Sequence, residues 1–239
     1  KGANEGEGLG NQFLSHIREV DAIGHVVRCF DNADVVHVEG SVNPERDIAI
    51  VDTELVLKDM DSVHKRFNQT ERSAKTGDKD AKASLEVLAK VRKQLDDGKP
   101  VRHLNLPESD QKHIADLFLL TMKPVLYICN VSESDVIKEN DYVKTVRAIA
   151  AQEKSRTVVI SGQIESEISE LPAEERTAFL ESLGLKEPGL HSLIKETYEL
   201  LGLNTFLTAG PDEVRAWTIH RGTKCPQAAG VIHSDFERG

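Results

Sequence analysis

Two short stretches of the 239-residue chain end an apolar run on small polar side chains. In "PVLYICNVSESD" (Pro124–Asp135), Val125–Cys129 is followed by Asn130, Val131, Ser132 and Glu133. In "TVVISGQIESEI", the run closes on Ser161, Gly162 and Gln163. Ligands of open α/β sheets sit beyond the carboxyl ends of the strands, so both turns are candidates for one ligand edge. An amide followed at three residues by a carboxylate has the hydrogen-bonding groups to read a nucleobase. Guanine offers N–H donors to a carboxylate; adenine offers an N1 acceptor, which would repel it and leave it unpaired. Glu133 therefore selects guanine only if it mimics the shorter Asp. If it swings away, Val131 packs against the ring and backbone groups read adenine N6. By residue type alone, Asn at a strand end is a turn former and Glu a first-turn helix residue.

The elements that must position these turns follow from periodicity. Residues 1–10 are Gly-rich and polar, a loop pattern. Asn11–Val20 reads as a helix with Phe13, Leu14 and Ile17 on one face. "HVVRCF" (His25–Phe30) reads as a strand, and "VVHVEG" (Val35–Gly40) follows a polar turn. Pro44 sits at a helix start, and the helical period runs from Ile48 to Ser73. Val56, Met60, Val63 and Phe67 form one seam; Ala81, Leu85, Leu88 and Leu95 form another, with Val91 beside it. The short "AKTGDKD" link predicts an antiparallel helical hairpin. Pro107–Leu120 reads as a further helix. The strand Val125–Cys129, the helix in "DYVKTVRAIAAQE", the strand Thr157–Ser161, and helices at Ala173–Leu183 and Gly189–Leu201 complete an α/β pattern. Long crossovers and apolar strands predict a parallel, doubly wound sheet into which the hairpin is inserted. After Asn204 the texture turns to short β segments, with "VRAWTI" alternating and "HRGT" as a hairpin-like turn.

Composition narrows the function classes. The formal net charge of -10 argues against nucleic-acid binding by bulk charge. Between Lys65 and Lys93, however, nine Lys or Arg stand against four Asp or Glu, a local +5. A projecting basic hairpin suits RNA phosphates, with Lys75, Lys79 and Lys82 near its tip as contact candidates. The ordinary role of such charge is a solvated face. Cys29, Cys129 and Cys225 are far apart and odd in number, which fits a reducing cytosol and neither a disulfide framework nor a zinc site. No apolar run has transmembrane length. Neither "KGANEGEGLG" at the start nor "SDFERG" at the end looks like a natural terminus.

Four stretches, spread over the full chain, resemble the Obg-like ATPase (YchF) subfamily of P-loop GTPases. They are "KGANEGEGLGNQFLSHIREVDAIGHVVRCF", "HVEGSVNPERDI", "NVSE" and "TAGPDEVRAWTIHRGTKCPQAAGVIHSDFERG". The resemblance implies a Ras-like domain interrupted by a helical hairpin and followed by a TGS domain of β-grasp type. Expected boundaries are 1–52 for the switch II tail and following strands, 53–120 for the insertion, 121–203 for the remaining G domain and 204–239 for an incomplete TGS domain.

It also implies ATP hydrolysis with Mg²⁺, and often weaker GTP hydrolysis, because Asn-x-x-Glu replaces the guanine-selecting Asn-Lys-x-Asp. Asn130, Val131 and Glu133 match that motif; Ser161, Gly162 and Gln163 match the base-side turn. His37, in the loop before "VEGSVNP", matches the histidine thought to replace the family's missing water-orienting Gln. His16 and His25 read as structural, and His233 belongs to the TGS signature. The phosphate-cradling G-x-x-x-x-G-K-[ST] pattern, the Mg²⁺-binding Thr and the Asp-x-x-Gly motif are absent from these residues and are expected before Lys1. The implied setting is a cytoplasmic, monomeric, ribosome-associated regulator of translation or stress response, with no membrane. Two alternatives stay open: a non-catalytic ribosome- or protein-binding module switched by nucleotide, and a GTPase in which Glu133 does the work of Asp.

Overall fold

The computed structural model describes residues 8–238 and divides into two units, residues 1–159 and 160–239. The expected loop over residues 1–7 lies outside the described residues, while Gly8–Gly10 already belong to helix α1 (Gly8–Glu19). Strand β1 (Ile23–Arg28) follows, two residues earlier than its β-branched residues suggest. Val35–Gly40 forms turns.

Helix α2 (Pro44–Lys75) starts where Asn43 caps it, its Oδ1 accepting the Arg46 amide at 3.1 Å, with Pro44 in the first turn. Its 32 residues span about 48 Å. Thr76 and Gly77, the latter at φ +96°, turn the chain into α3 (Lys79–Asp96). Asp78 caps α3 through the amides of Asp80 and Ala81 at 2.9 and 3.2 Å. The hairpin seam buries Val56 and Val63 against Val87, Leu88, Val91 and Leu95, joined by Val101, Ile114 and Leu119. Met60 and Phe67 are half-buried at its rim. Val91 is fully enclosed and belongs to the α3 seam itself, three residues after Leu88 and four before Leu95.

The expected helix over Pro107–Leu120 does not form. Only α4 (Glu108–Gln111) is α-helical, followed by 3₁₀ turns at Ala115–Leu117 and Leu120–Met122. Asn105 and Phe118 both adopt φ 46°. Tertiary contacts override local propensity here. The buried Asp59 carboxylate on α2 takes the amides of Leu120 and Thr121 at 3.0 and 2.7 Å, and these cannot then serve a helix.

Strand β2 (Val125–Asn130) pairs in parallel with β1, from Ile23↔Val125 to Arg28↔Asn130. Helix α5 (Asp141–Glu153) leads to β3 (Arg156–Ile160), and the sheet order is β1-β2-β3. All but the last residue of β2 are buried, as a strand covered on both faces requires. Its core gathers Val27, Cys29, Ile48, Tyr127, Val143 and Val146.

The second unit carries α6 (Gly162–Glu170), α7 (Ala173–Ser182) and α8 (Gly189–Leu200), then strands β4 (Leu203–Ala209) and β5 (Val214–His220) and helix α9 (Cys225–Ile232). β4 and β5 form an antiparallel pair from Leu203↔His220 to Ala209↔Val214. The hairpin turn is therefore Gly210–Glu213, closed by the Gly210 amide on the Glu213 carbonyl at 2.9 Å. "HRGT" instead leads from β5 into α9. Pro211 and Asp212 supply the turn chemistry that the alternation of β5 overshadows. No helix among the described residues is long and apolar enough to cross a membrane.

Candidate functional site

The first unit's ligand edge is made where β1 and β2 end. Past β1, the Arg28 guanidinium ties down the following loop, donating to the carbonyls of Phe30, Asn32 and Val35 at 3.1, 3.3 and 3.0 Å. This loop and the next turn enclose an open cavity of about 420 Å³, lined by Arg28, Asp31, Asn32, Val35, His37 and Ser41 among others. His37 is half-buried at its wall. Its Nδ1 accepts the Glu39 amide at 3.1 Å, and its Nε2 lies 3.0 Å from Asp47 Oδ2 in the first turn of α2.

Past β2, Asn130 closes the strand and its carbonyl accepts the Cys29 amide at 2.8 Å. The Val131 side chain turns into the core beside Val27 and Val143 and is 3% exposed. A base would meet the Val131 side chain only by drawing it out of this core. Glu133 is exposed at the start of a 3₁₀ turn. Ser132 Oγ donates to Asp135 Oδ2 at 2.9 Å, so the turn is fixed while Glu133 stays in solvent.

Asn140 organises this edge. It caps α5, accepting the Val143 amide at 3.0 Å, and its Nδ2 donates to the Cys29 carbonyl at 2.7 Å and Asp135 Oδ2 at 3.0 Å. One amide thus joins the exits of β1 and β2. Tyr142 adds a bond to Asp31 Oδ2 at 2.9 Å. Both residues border a second cavity of about 400 Å³ with Phe30, Asp31, Asp135 and Asp141. The cap signal of Asn140 before "DYV" is readable in sequence; its two cross-links are not, because they depend on strand order.

Below the edge lies a buried charge cluster. Arg102, 9% exposed at its side chain, meets Asp52 Oδ1 at 3.0 Å and Glu153 Oε2 at 3.2 Å, and Tyr127 donates to the same Glu153 oxygen at 2.9 Å. Burial works against the Arg102 charge, but the two carboxylates outweigh it and hold the guanidinium above its ordinary range. Burial, then the two carboxylates, push the Tyr127 phenol up. His25 stacks tilted on Tyr127 at 5.6 Å, and burial depresses its imidazole against the pull of Asp52. That supports its structural reading. Cys29 and Cys129 are free, enclosed thiols; their mutual hydrogen bond and then burial push the Cys29 thiol up, so it stays protonated.

In the second unit, Ser161 is buried and caps α6, its Oγ accepting the Ile164 amide at 3.5 Å. Gly162 opens that helix, and Gln163 Nε2 donates to Glu167 Oε1 at 3.3 Å on its exposed face. On the hairpin, Lys75, Lys79 and Lys82 are exposed at the tip, Lys75 within 3.3 Å of Glu71. Part of the hairpin's positive charge is used internally: Arg66 pairs with Asp116, Lys90 with Asp110, and Arg92 covers the Phe67 ring at 4.0 Å. Among the described residues no group of three or more His, Cys, Asp or Glu is arranged to hold a metal.

Comparison with known proteins accounts for this set of elements. A family model described as YchF-GTPase_C, protein of unknown function (DUF933), matches residues 203–239. The "Ribosome-binding ATPase YchF" of Bacillus subtilis (strain 168) is 51% identical over 241 residues, covering all of this chain and 66% of that protein. The protein of the same name from Escherichia coli O157:H7 is 51% identical over 239 residues, again with 66% of its length. That of Mycoplasma pneumoniae is 42% identical over 243 residues and is covered to 67%. The chain thus spans 66% of the first two of these relatives. Among solved structures, that of the Schizosaccharomyces pombe YchF GTPase superposes with a TM-score of 0.83 at 37% identity, over 98% of this chain and 64% of that one. Full-length sequence identity and the α/β fold with its inserted helical hairpin agree: the chain belongs to the YchF family of Obg-like P-loop NTPases.

Proposed function

We propose that this chain is the base-reading and partner-binding part of a ribosome-associated ATPase. The observation that carries this reading is 51% identity over the whole chain to relatives named ribosome-binding ATPases. In this reading Asn130, Val131 and Glu133 read the base of ATP, and the Ser161–Gln163 turn is itself a nucleotide-binding element. The exposed Glu133 supports it: a carboxylate in solvent can move off an adenine N1 that it would otherwise repel. The bound nucleotide supplies the phosphoanhydride bond and carries Mg²⁺, with phosphate and metal contacts outside this chain's motifs. The fit of this chain is to the base and not to the phosphates, since no G-x-x-x-x-G-K-[ST] stretch occurs in it. His37 orients the attacking water. Lys75, Lys79 and Lys82 meet ribosomal RNA phosphates at the hairpin tip. The protein acts as a cytoplasmic monomer regulating translation or the stress response.

A GTPase reading is favoured by one observation, the name "YchF GTPase" of the Schizosaccharomyces pombe relative. The test uses the protein at the full length of its relatives. ATP binding and hydrolysis should exceed those of GTP; equal or reversed preference overturns the adenine assignment. Nucleotide binding without hydrolysis, even with ribosomes present, would leave a nucleotide-switched binding module.

A further inference from the structure

We propose that Asp47 is the positioning residue of His37: it fixes the imidazole in its Nε2–H form and leaves the basic lone pair on Nδ1. The inference rests on the assignment of His37 to hydrolysis.

The two ring nitrogens of His37 have different partners. Nδ1 faces a backbone amide, that of Glu39 at 3.1 Å, which can only donate; Nδ1 must therefore be the unprotonated nitrogen of the neutral ring. Nε2 faces Asp47 Oδ2 at 3.0 Å, which can only accept. The Glu39 donor at Nδ1 selects this tautomer, and the carboxylate beside Nε2 is placed to hold it.

Asp47 is itself held. Its Oδ1 takes Arg46 Nε at 3.1 Å and Nη2 at 2.9 Å, and the same Nη2 reaches the Ser41 carbonyl at 2.6 Å. The loop carrying His37 is thereby buckled onto the first turn of α2. Oδ2 is closed off from solvent, and the Nε2–H does not point straight at it. A buried carboxylate oxygen without an aligned donor is costly, and a small rotation of the imidazole would satisfy it. Asp47 at a helix start also has an ordinary role, favouring the helix dipole. That role explains the residue type, but not why one oxygen is shut in against a histidine.

The arrangement matches the logic of a carboxylate–histidine pair, in which the carboxylate holds one nitrogen so that the other can serve the reacting group. In the present structure the Glu39 amide occupies the working nitrogen. A water can reach Nδ1 only when the turn of residues 37–40 gives up that bond. Gly40, at φ +76° with nothing near its missing Cβ, ends the turn without crowding.

The test has two arms. In the first, ¹⁵N-histidine-labelled chain is studied at pH 8 by long-range ¹H–¹⁵N correlation. The unsubstituted chain should show His37 protonated at Nε2, and Asp47→Asn should move the proton toward Nδ1, since an amide can donate where the carboxylate only accepted. An unchanged tautomer overturns the proposal. In the second arm, kinetics are measured at the full length of the relatives. Asp47→Asn should lower kcat at least about tenfold while KM for ATP changes by less than about twofold. Combined with His37→Ala, it should cost no more than about twofold beyond His37→Ala alone; multiplicative losses overturn the pairing. If His37→Ala keeps the full rate, the hydrolytic assignment of His37 falls, and the tautomer alone decides whether Asp47 orients the ring. Melting temperatures separate loss of function from loss of fold.

Discussion

Asp59, in the middle of α2, accepts both the amide and the hydroxyl of Thr121, at 2.7 and 2.8 Å, and both residues are fully buried. The same carboxylate takes the Leu120 amide at 3.0 Å and lies 3.6 Å from Arg18. Burial raises its carboxyl above the ordinary range, against the opposing pull of those hydrogen bonds. Removing it strands two backbone donors in the core. Asp59→Ala should therefore destabilise the first unit by about 3–5 kcal/mol. Asp59→Asn should cost less, since one acceptor oxygen remains. Urea unfolding of the two variants checks the order; equal stability of Asp59→Ala and the unsubstituted chain would remove the anchor.

A glycine carries a comparable constraint in the second unit. A Cβ on Gly189 would stand 2.9 Å from Ile160 Cγ2 and 3.0 Å from Glu165 Oε1, the oxygen that accepts the Gly189 amide at 2.6 Å. Gly189→Ala should cost about 1–3 kcal/mol by overpacking. Hydrogen exchange should show faster opening of α6 and α8, while amides of the first unit keep their protection.

His25 sets a pH dependence. Its folded-state value is depressed below the ordinary 6.5 by burial, with Arg102 adding to that and Asp52, Glu153 and Asp47 opposing it. Between the two values the unfolded chain binds the proton more readily, so stability falls as the pH drops through about 6.5 and is fully present above it. The melting temperature should decline from pH 8 to pH 5.5, and His25→Gln should reduce that decline. An equal decline in the variant would shift the cause to other groups.

The hairpin tip makes an ionic prediction. Neutralising Lys75, Lys79 and Lys82 to Gln together should weaken ribosome co-sedimentation and flatten its dependence on log salt by about 2, if all three meet phosphates. Helical content should not change, since all three are exposed. Unchanged co-sedimentation would leave the hairpin as scaffold.

Glu133 makes a chemical one. Shortening it to Asp restores the reach of a guanine-selecting carboxylate and should lower the preference for ATP over GTP about tenfold, or about 1.4 kcal/mol. Competition binding with the two nucleotides measures it directly.

Much of this protein was legible in its residues. Pro44 announced the start of α2, the Gly and Asp of "AKTGDKD" the turn before α3, and the spacing from Val56 to Phe67 the seam, because turn chemistry and helical periodicity are local properties. The strand ends at Asn130 and Ser161 stood out for the same reason. Pro107–Leu120 misled because Asp59, about 60 residues away, holds its last amide and the next one, and Phe118 turns at φ 46°, constraints that no local pattern records. The clamp of Asn140 on Cys29 and Asp135 and the pairing of His37 with Asp47 were not legible at all. Sequence determined most of the elements, the family and the residue types at the candidate ligand edge. The tertiary structure alone decided which side chains face one another, because those distances are set by packing between segments far apart in the chain.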